Sequence, residues 1–166
     1  MAVADALLPE FDREMVLTRR LLERVPDERF AWKPHARSMS LGELATHVAN
    51  LPSWGAITLN QSEFNMEGPN ETRPAGSRTE LLERFDRNVA ESRAALVGKL
   101  DAELLAPWAL KRGGRTVFTM PKTAVWRTFV LNHLVHHRGQ LSVYLRLNDL
   151  PVPAMYGPSA DEAPNF

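Results

Sequence analysis

Four long stretches of this chain repeat apolar residues at a helical spacing, and this repetition restricts the fold more than any other feature of the sequence. In each stretch the apolar side chains share one face and the charged side chains lie opposite, which is typical of helices that pack on a common core. The stretches are residues 4–25, residues 41 to about 60 or 63, residues 77 to about 100, and residues 123–148. Because strands do not alternate with helices and no internal repeat is present, the sequence predicts an all-α four-helix bundle.

The starts and breaks of these helices carry local signals. Ser40 with Glu43, and Ser77 with Glu80, have the spacing of capping boxes, in which each side chain accepts from a free backbone N–H of the first turn. Pro52 lies inside the second stretch and predicts a kink or a local break there. These signals place the second and third helices after two loops.

The connections are less regular than the helices. Residues 65–76 read NMEGPNETRPAG and are expected to form a loop, and the last eighteen residues form a proline-rich tail. Residues 101–122 contain two short apolar runs around Gly113 and Gly114, a pattern that fits either a short hairpin or an irregular crossover between helices three and four. We expect one domain, residues 1–166, with no substantial strands.

The composition excludes several classes of function. Twenty Lys and Arg balance twenty Asp and Glu without a basic cluster, so no nucleic-acid or anionic-membrane partner is expected. The chain has no cysteine, which removes disulfides, thiolate nucleophiles and cysteine ligands. No apolar run approaches the roughly 18 residues of a membrane span, and the N-terminus lacks the pattern of a signal peptide. A cytoplasmic protein is the simplest expectation.

The histidines are the strongest chemical signal. His133 and His137 are four residues apart, so on a helix they lie one turn apart on the face that also carries Trp126 and Leu141. His47 lies on the apolar face of the second helix. Ligands from facing helices converge in a bundle, and three imidazoles leave an open coordination position, as in catalytic metal sites.

Each histidine also has an ordinary interpretation, as a core side chain with a hydrogen-bond partner or as a solvated residue. For His136, at the edge of the same face, the preferred interpretation is a boundary residue or a hydrogen-bond partner of a ligand, and for His35, in a loop, it is a solvated side chain. The segment HLVHH lacks the glutamate of HExxH, and the ExxH spacing of di-iron bundles is absent. Motifs for a serine nucleophile or a phosphate loop are absent as well.

Two segments resemble a known family. SLGELATHVANL, preceded by AWKP, and LNHLVHHRGQLSVYLRLNDLPVPAMYGPSADE are similar to the DinB family of bacterial metal-binding four-helix bundles, which includes YfiT-like proteins. The resemblance covers nearly the whole chain, and HxxxHRGQ is its most specific part. It implies a metal-binding triad with one histidine from the second helix and two from the fourth, which correspond to His47, His133 and His137. The implied cofactor is a divalent metal ion, with Zn or Ni favoured.

The resemblance also implies a choice of activities. Some members of such families transfer a low-molecular-weight thiol, such as bacillithiol or mycothiol, others are thiol-dependent isomerases, and others are described as metal-dependent hydrolases. A thiol-dependent S-transferase acting on small electrophiles is the preferred function, and the thiol would be a cosubstrate because the chain has no cysteine. A hydrolase, with Glu43 as the nearest candidate base, and a non-enzymatic metal-stapled, stress-related dimer are the alternatives. The expected partners are a small-molecule substrate and a second copy in a homodimer.

Other residues receive minor roles. Arg138 is expected to point away from the metal and form an ion pair, Gly139 to permit close helix approach, and Gln140 to face inward and orient a ligand or water. The residues suggested for the mouth of a substrate cavity are Trp54, Trp108 and Tyr156.

Overall fold

Helices make up most of the protein, in the order that the periodicity predicts. The computed structural model describes residues 2–68 and 73–163. Its helices are α1 (Val3–Leu22), α2 (Leu41–Asn50), α3 (Ser53–Asn60), α4 (Arg78–Leu96), α5 (Asp101–Leu104), α6 (Lys122–Val125) and α7 (His133–Leu147), with a 3₁₀ turn at Asp27–Arg29 and a π-helical segment at Trp126–Asn132. Among these described residues, none of the helices is both long and apolar enough to cross a membrane.

A three-stranded sheet accompanies the helices, so the protein is mostly helical but a purely all-α four-helix bundle is not confirmed. Its strands are β1 (Glu63–Met66), β2 (Pro107–Arg112) and β3 (Arg115–Pro121), in the order β1-β2-β3, with β1 parallel and β3 antiparallel to β2. The hairpin alternative for residues 101–122 is confirmed. Gly113 and Gly114 have φ angles of 54° and 77°, and two successive positive φ angles are what a tight turn between twisted strands requires.

The strand β1 lies between the expected end of the second helix, at residue 60 or 63, and the first residues of the expected loop. It has only four residues, and its partner strand follows much later in the chain, with Glu63 opposite Ala109. A pairing over that distance leaves no local turn signal in the sequence, which explains why it was missed. Residues 69–72 of the expected loop lie outside the described residues, as do residues 164–166 of the expected tail.

The predicted break at Pro52 is confirmed, and α4 supplies the missing hydrogen bonds. Proline has no N–H to continue the helix, and the chain divides there into α2 and α3. The Ser92 hydroxyl donates to the Pro52 carbonyl and accepts from the Ala56 N–H at 3.0 Å. A Cβ on Gly55 would lie 2.5 Å from the Ser92 Oγ and 2.7 Å from the Trp126 ring, so only glycine permits this close approach.

The capping signals are confirmed at both helix starts. Ser40 and Glu43 make the full reciprocal box, at 3.1 Å and 2.6 Å. At α4 the Ser77 hydroxyl accepts from the Glu80 N–H, but the Glu80 carboxylate accepts from Gly76 instead of Ser77. Both helices therefore begin where the sequence places them.

One core joins the helices. Side chains from α1, α2, α4, α7 and the π-helical segment pack together, and several large ones are fully buried: Phe11, Leu21, Leu22, Leu41, Leu44, Leu81, Phe85, Leu96 and Trp126. On α7 the fully buried positions are Leu134, Arg138, Leu141 and Leu145. The histidines flank this row and do not lie within it.

Arg138 forms the predicted ion pair, inside the protein. It is 1% exposed, and its Nη2 lies 2.5 Å from the Glu14 Oε2 of α1. Its Nη1 donates to the Glu14 carbonyl and to the Thr18 hydroxyl, both at 3.1 Å. The Tyr156 hydroxyl accepts from Arg138 and donates to the Glu14 carboxylate at 2.7 Å. This network ties α1, α7 and the C-terminal tail together.

Candidate metal centre

The packing of α2 against α7 brings together the three histidines that the sequence proposes. His47 projects from α2, and His133 and His137 project from successive turns of α7. All three side chains are partly buried. The site therefore lies at the contact between the two helices. The apolar faces of these helices had suggested a position in the middle of the core.

The three rings point their Nε2 atoms at a common point. The His133 Nε2 lies 2.9 Å from the His137 Nε2 and 3.3 Å from the His47 Nε2. One ring nitrogen from each histidine lies within 4.8 Å of the others. Nitrogen ligands at 2.0–2.1 Å from a tetrahedral ion would be about 3.3–3.4 Å apart, so the spacing suits a divalent metal.

The second ring nitrogen of His137 has a side-chain partner. The His137 Nδ1 lies 2.7 Å from the Gln140 Oε1, which is an acceptor, so this nitrogen carries the proton. This contact fixes the tautomer in which the His137 Nε2 offers a lone pair. The pKa of His133 is lowered by burial, and the backbone of Phe129, within the π-helical segment, opposes this effect.

Burial keeps the rings neutral. Desolvation, together with the nearby His137 and His133, lowers the pKa of His47 to about 4. Burial also lowers the pKa of His133, against the opposing effect of the Phe129 hydrogen bond, and that of His137, against the effect of Gln140. Neutral imidazole is the form that binds a metal.

The close nitrogen contacts suit a cation. When its Nδ1 donates to Gln140, the His137 Nε2 carries no proton and offers a lone pair at 2.9 Å from the His133 Nε2. A divalent ion at the common point would bind a lone pair from each of the three rings. The described residues therefore could hold a divalent metal, and the donor set of three histidines leaves it open to a further ligand.

A cavity of about 550 Å³ adjoins His47. It lies between α2, α3 and β1, and it is lined by Met39, Glu43, Thr46, His47, Asn50, Leu51, Ser53, Trp54, Ile57, Phe64, Met66, Glu67, Gly68 and Pro74. Its size is in the range of small-molecule binding sites, about 300–1,000 Å³. The short strand that the sequence did not predict forms one of its walls.

Of the residues suggested for the cavity mouth, only Trp54 lines the cavity. Trp108 is 1% exposed on β2 and lies near Phe118 of β3, so it is a packing residue. Tyr156 belongs to the Arg138 network. The cavity residues that were missed include Phe64 and Met66, and their only sequence signal is the apolar alternation of a four-residue strand.

The remaining site predictions divide in the same way. Gln140 bonds a triad histidine, but its side chain is exposed and does not face the core. Gly139 is exposed and nothing lies within 4 Å of a Cβ built on it, so the prediction that it permits close helix approach is wrong. His136 and His35 are exposed and lie outside the triad, as expected.

Glu43 caps α2, as its spacing predicts. Its carboxylate accepts from the Ser40 N–H and lies 3.4 Å from the Lys33 Nζ. The backbone hydrogen bond from Ser40 holds the pKa of this carboxyl below its usual range. A carboxylate with a lowered pKa is a weak base at neutral pH, so Glu43 is poorly suited to activate a water.

Replacement of Gln140 by alanine is expected to weaken metal binding without removing a ligand. The variant loses the acceptor that fixes the His137 ring, and such partners are worth about 10–100-fold in metal affinity. Competition with a chromophoric zinc chelator measures the change. Gln140→Glu, which keeps an acceptor, should retain the affinity, and Ser142→Ala on the same helix serves as the control. Equal zinc affinities for the unmodified protein and the three variants would contradict a positioning role for Gln140.

The three lowered histidine pKa values predict a loss of stability as the pH falls. In the unfolded chain the histidines titrate near pH 6.5, whereas folded His47 titrates at about 4. Between these values the unfolded state binds more protons, so the free energy of unfolding should fall from pH 7 to pH 5. Urea denaturation in the presence of a chelator measures it. His47→Leu should reduce the pH dependence and His35→Ala should preserve it; identical slopes would refute the assignment.

The fold and the site define a class of protein, a helical bundle with a small sheet and a three-histidine centre that could hold a divalent metal between two of its helices. The family model described as the DinB family matches residues 1–164. The chain therefore belongs to the DinB family.

Individual relatives agree with this membership. The chain is 26% identical to the protein YrdA of Bacillus subtilis strain 168 over 162 residues, which cover 98% of this chain and 93% of that protein. The crystal structure of a DinB-like protein from Bacillus cereus matches with a TM-score of 0.71 at 21% identity, over 92% of this chain and 97% of that one. A DinB-like protein from Bacillus subtilis, YjoA, matches with a TM-score of 0.68 at 18% identity, over 89% and 95%. At these identities the two structures show the fold alone.

Proposed function

We propose that the protein is a metal-dependent S-transferase, in which His47, His133 and His137 hold a divalent ion and a thiol cosubstrate reacts with a small electrophile. The observation that carries this proposal is the convergence of three Nε2 atoms beside a cavity of about 550 Å³. A metal held by three side chains keeps a position for an incoming ligand, and the cavity provides room for a second molecule.

A bound divalent ion lowers the pKa of a thiol that coordinates it and so supplies a thiolate nucleophile near neutral pH. In the overall reaction a bond forms between the thiol sulfur and the electrophilic carbon. The leaving group departs with the electron pair of its broken bond, and the thiol proton is released to solvent. The reaction is redox-neutral and needs no oxidant or reductant.

The side chains around the site support thiol transfer more than hydrolysis. Activation of water is helped by a base that accepts its second proton, and the nearest candidate, Glu43, is held by Ser40 and Lys33. A thiol has a single proton and a lower pKa than water, so it can ionise without such a base. The histidines would hold the ion, and Gln140 positions the His137 ring.

Two measurements on the purified protein test the proposal. Elemental analysis should find about one divalent metal per chain, with Zn or Ni expected. A chromogenic electrophile, such as 1-chloro-2,4-dinitrobenzene, should then be consumed only when a low-molecular-weight thiol is added. His133→Ala should lose both metal and turnover, and His35→Ala should lose neither.

Other outcomes would favour the competing functions. Cleavage of an ester or amide without thiol would replace the transferase with a hydrolase. A stoichiometric metal with no turnover in either assay would favour the non-enzymatic metal-stapled dimer. We also propose that the protein forms a homodimer, and analytical ultracentrifugation measures its mass in solution. A protein that retains no metal would refute all three.

A further inference from the structure

We propose that the cavity beside His47 binds an aromatic molecule that is neutral or positively charged, and that it rejects anions. This inference rests on the proposed function in one respect only, because it makes this molecule the electrophile of the S-transferase. It is argued from the chemistry of the cavity wall, which is independent of any metal.

The apolar part of the wall suits a flat or branched hydrocarbon body. Trp54 of α3 and Phe64 of β1 meet edge to face, with ring centroids 5.2 Å apart, and both rings are partly buried. Leu51 and Ile57 extend this surface along α2 and α3. An aromatic ligand that packs on such a wall gains apolar burial and a favourable ring-ring geometry.

Two methionines make the wall adaptable. Met39 and Met66 both line the cavity, and unbranched thioether side chains repack around ligands of different shapes. We therefore expect the cavity to accept a range of aromatic molecules of similar size, and to discriminate among them by charge more than by outline.

The charges on the wall have one sign. Among the described residues that line the cavity, Glu43 and Glu67 are the ionisable carboxylates, and neither lysine nor arginine is present. Lys33 lies 3.4 Å from Glu43 and offsets that charge. Glu67 accepts a hydrogen bond from the neutral amide of Asn65, whose Nδ2 donates to the Glu67 Oε1 at 3.0 Å. Glu67 therefore leaves the cavity with negative potential, which attracts cations and repels anions.

Three probes with the same ring test the discrimination: 4-nitrobenzylamine as a cation, 4-nitrobenzyl alcohol as a neutral molecule and 4-nitrobenzoate as an anion. Binding is measured by calorimetric titration of the full-length protein. Excess chelator is present so that the carboxylate of 4-nitrobenzoate cannot bind a metal. The amine and the alcohol should bind about three- to tenfold more tightly than the benzoate, the effect expected of one carboxylate that remains exposed to solvent.

Charge variants at Glu67 assign the effect to this residue. Glu67 is exposed, so Glu67→Gln and Glu67→Lys are expected to fold normally. Glu67→Gln should reduce the preference for the amine, and Glu67→Lys should reverse it in favour of the benzoate. Glu63→Gln is the matched control, because Glu63 begins β1, the strand that Glu67 directly follows, and it pairs with Lys111 and does not line the cavity. Trp54→Leu should weaken all three probes together.

The outcomes separate this inference from the proposed function. Equal binding of the three probes, preference for the benzoate, or no effect of Glu67→Lys would overturn it. Selective binding in chelator, together with a protein that retains no metal, would support the cavity assignment and refute the transferase. Metal-dependent thiol transfer to an anionic electrophile with no use of neutral ones would support the transferase and overturn the cavity assignment.

Discussion

His137→Ala is expected to lower the affinity of the protein for zinc by more than about 100-fold. Outer partners of metal ligands cost about 10–100-fold when they are removed, and loss of one of three direct ligands should exceed this range. The remaining pair, His47 and His133, would keep nitrogens 3.3 Å apart but could no longer enclose an ion. Competition with a chromophoric chelator gives the affinities of the variant and the original protein.

Thermal unfolding provides a second readout of the same site. A ligand at 100 times its dissociation constant stabilises the folded state by about 2.7 kcal/mol, which for a chain of this size raises the Tm by roughly 5–10 °C. Zinc should produce this shift in the original protein and in His35→Ala, and almost none in His137→Ala or His47→Ala. An undiminished shift in His47→Ala would show that the second helix contributes no ligand.

Arg138→Met is expected to destabilise the protein by about 3–5 kcal/mol, the usual cost of removing one partner of a buried ion pair. Arg138 is 1% exposed and the Glu14 side chain 10%, so the variant leaves a carboxylate inside the protein without its cation. The expected decrease in Tm is roughly 6–20 °C. Urea or thermal denaturation at pH 7 measures both quantities.

A surface pair between α1 and the last helical region serves as the matched control. Arg127 lies 2.7 Å from Glu10 with both side chains largely exposed, so Arg127→Met should cost no more than about 1 kcal/mol. The double variant Glu14→Gln with Arg138→Met should recover part of the loss, because it removes the buried charge as well as its partner. If Arg138→Met and Arg127→Met were equally stable, the buried network would have no special role.

The features that follow from local spacing could be predicted. The helical segments, the break at Pro52 and both capping residues needed only periodicity, one missing N–H and a three-residue spacing. The three histidines that come together were found in the same way, from a four-residue spacing and a matching apolar face. Each signal is contained within one or two turns of helix.

The features that depend on distant pairing could not be predicted. The strand β1 carries no turn signal, so the wall of the cavity was missed along with Phe64 and Met66. Trp108 and Tyr156 were wrongly assigned to the mouth of the cavity, because aromatic side chains serve equally well in packing, hydrogen bonding and ligand contact. Gly139 was misassigned because its sequence position on a helix does not show whether another element packs against it, and in the structure none does.

The parallel pairing of β1 with β2 also affects the order in which the protein folds. The backbone hydrogen bonds inside helices such as α1 and α4 join residues that are near neighbours in the sequence. In contrast, β1 can pair only with a strand that follows the whole of α4, and His47 contacts His133, which lies 86 positions further along the chain. Closing such large loops costs entropy that local contacts do not require, so long-range pairings slow folding. We expect the backbone amides of β1 to gain protection from hydrogen exchange after those of the helices. Refolding would then form the individual helices before the strand that lines the cavity.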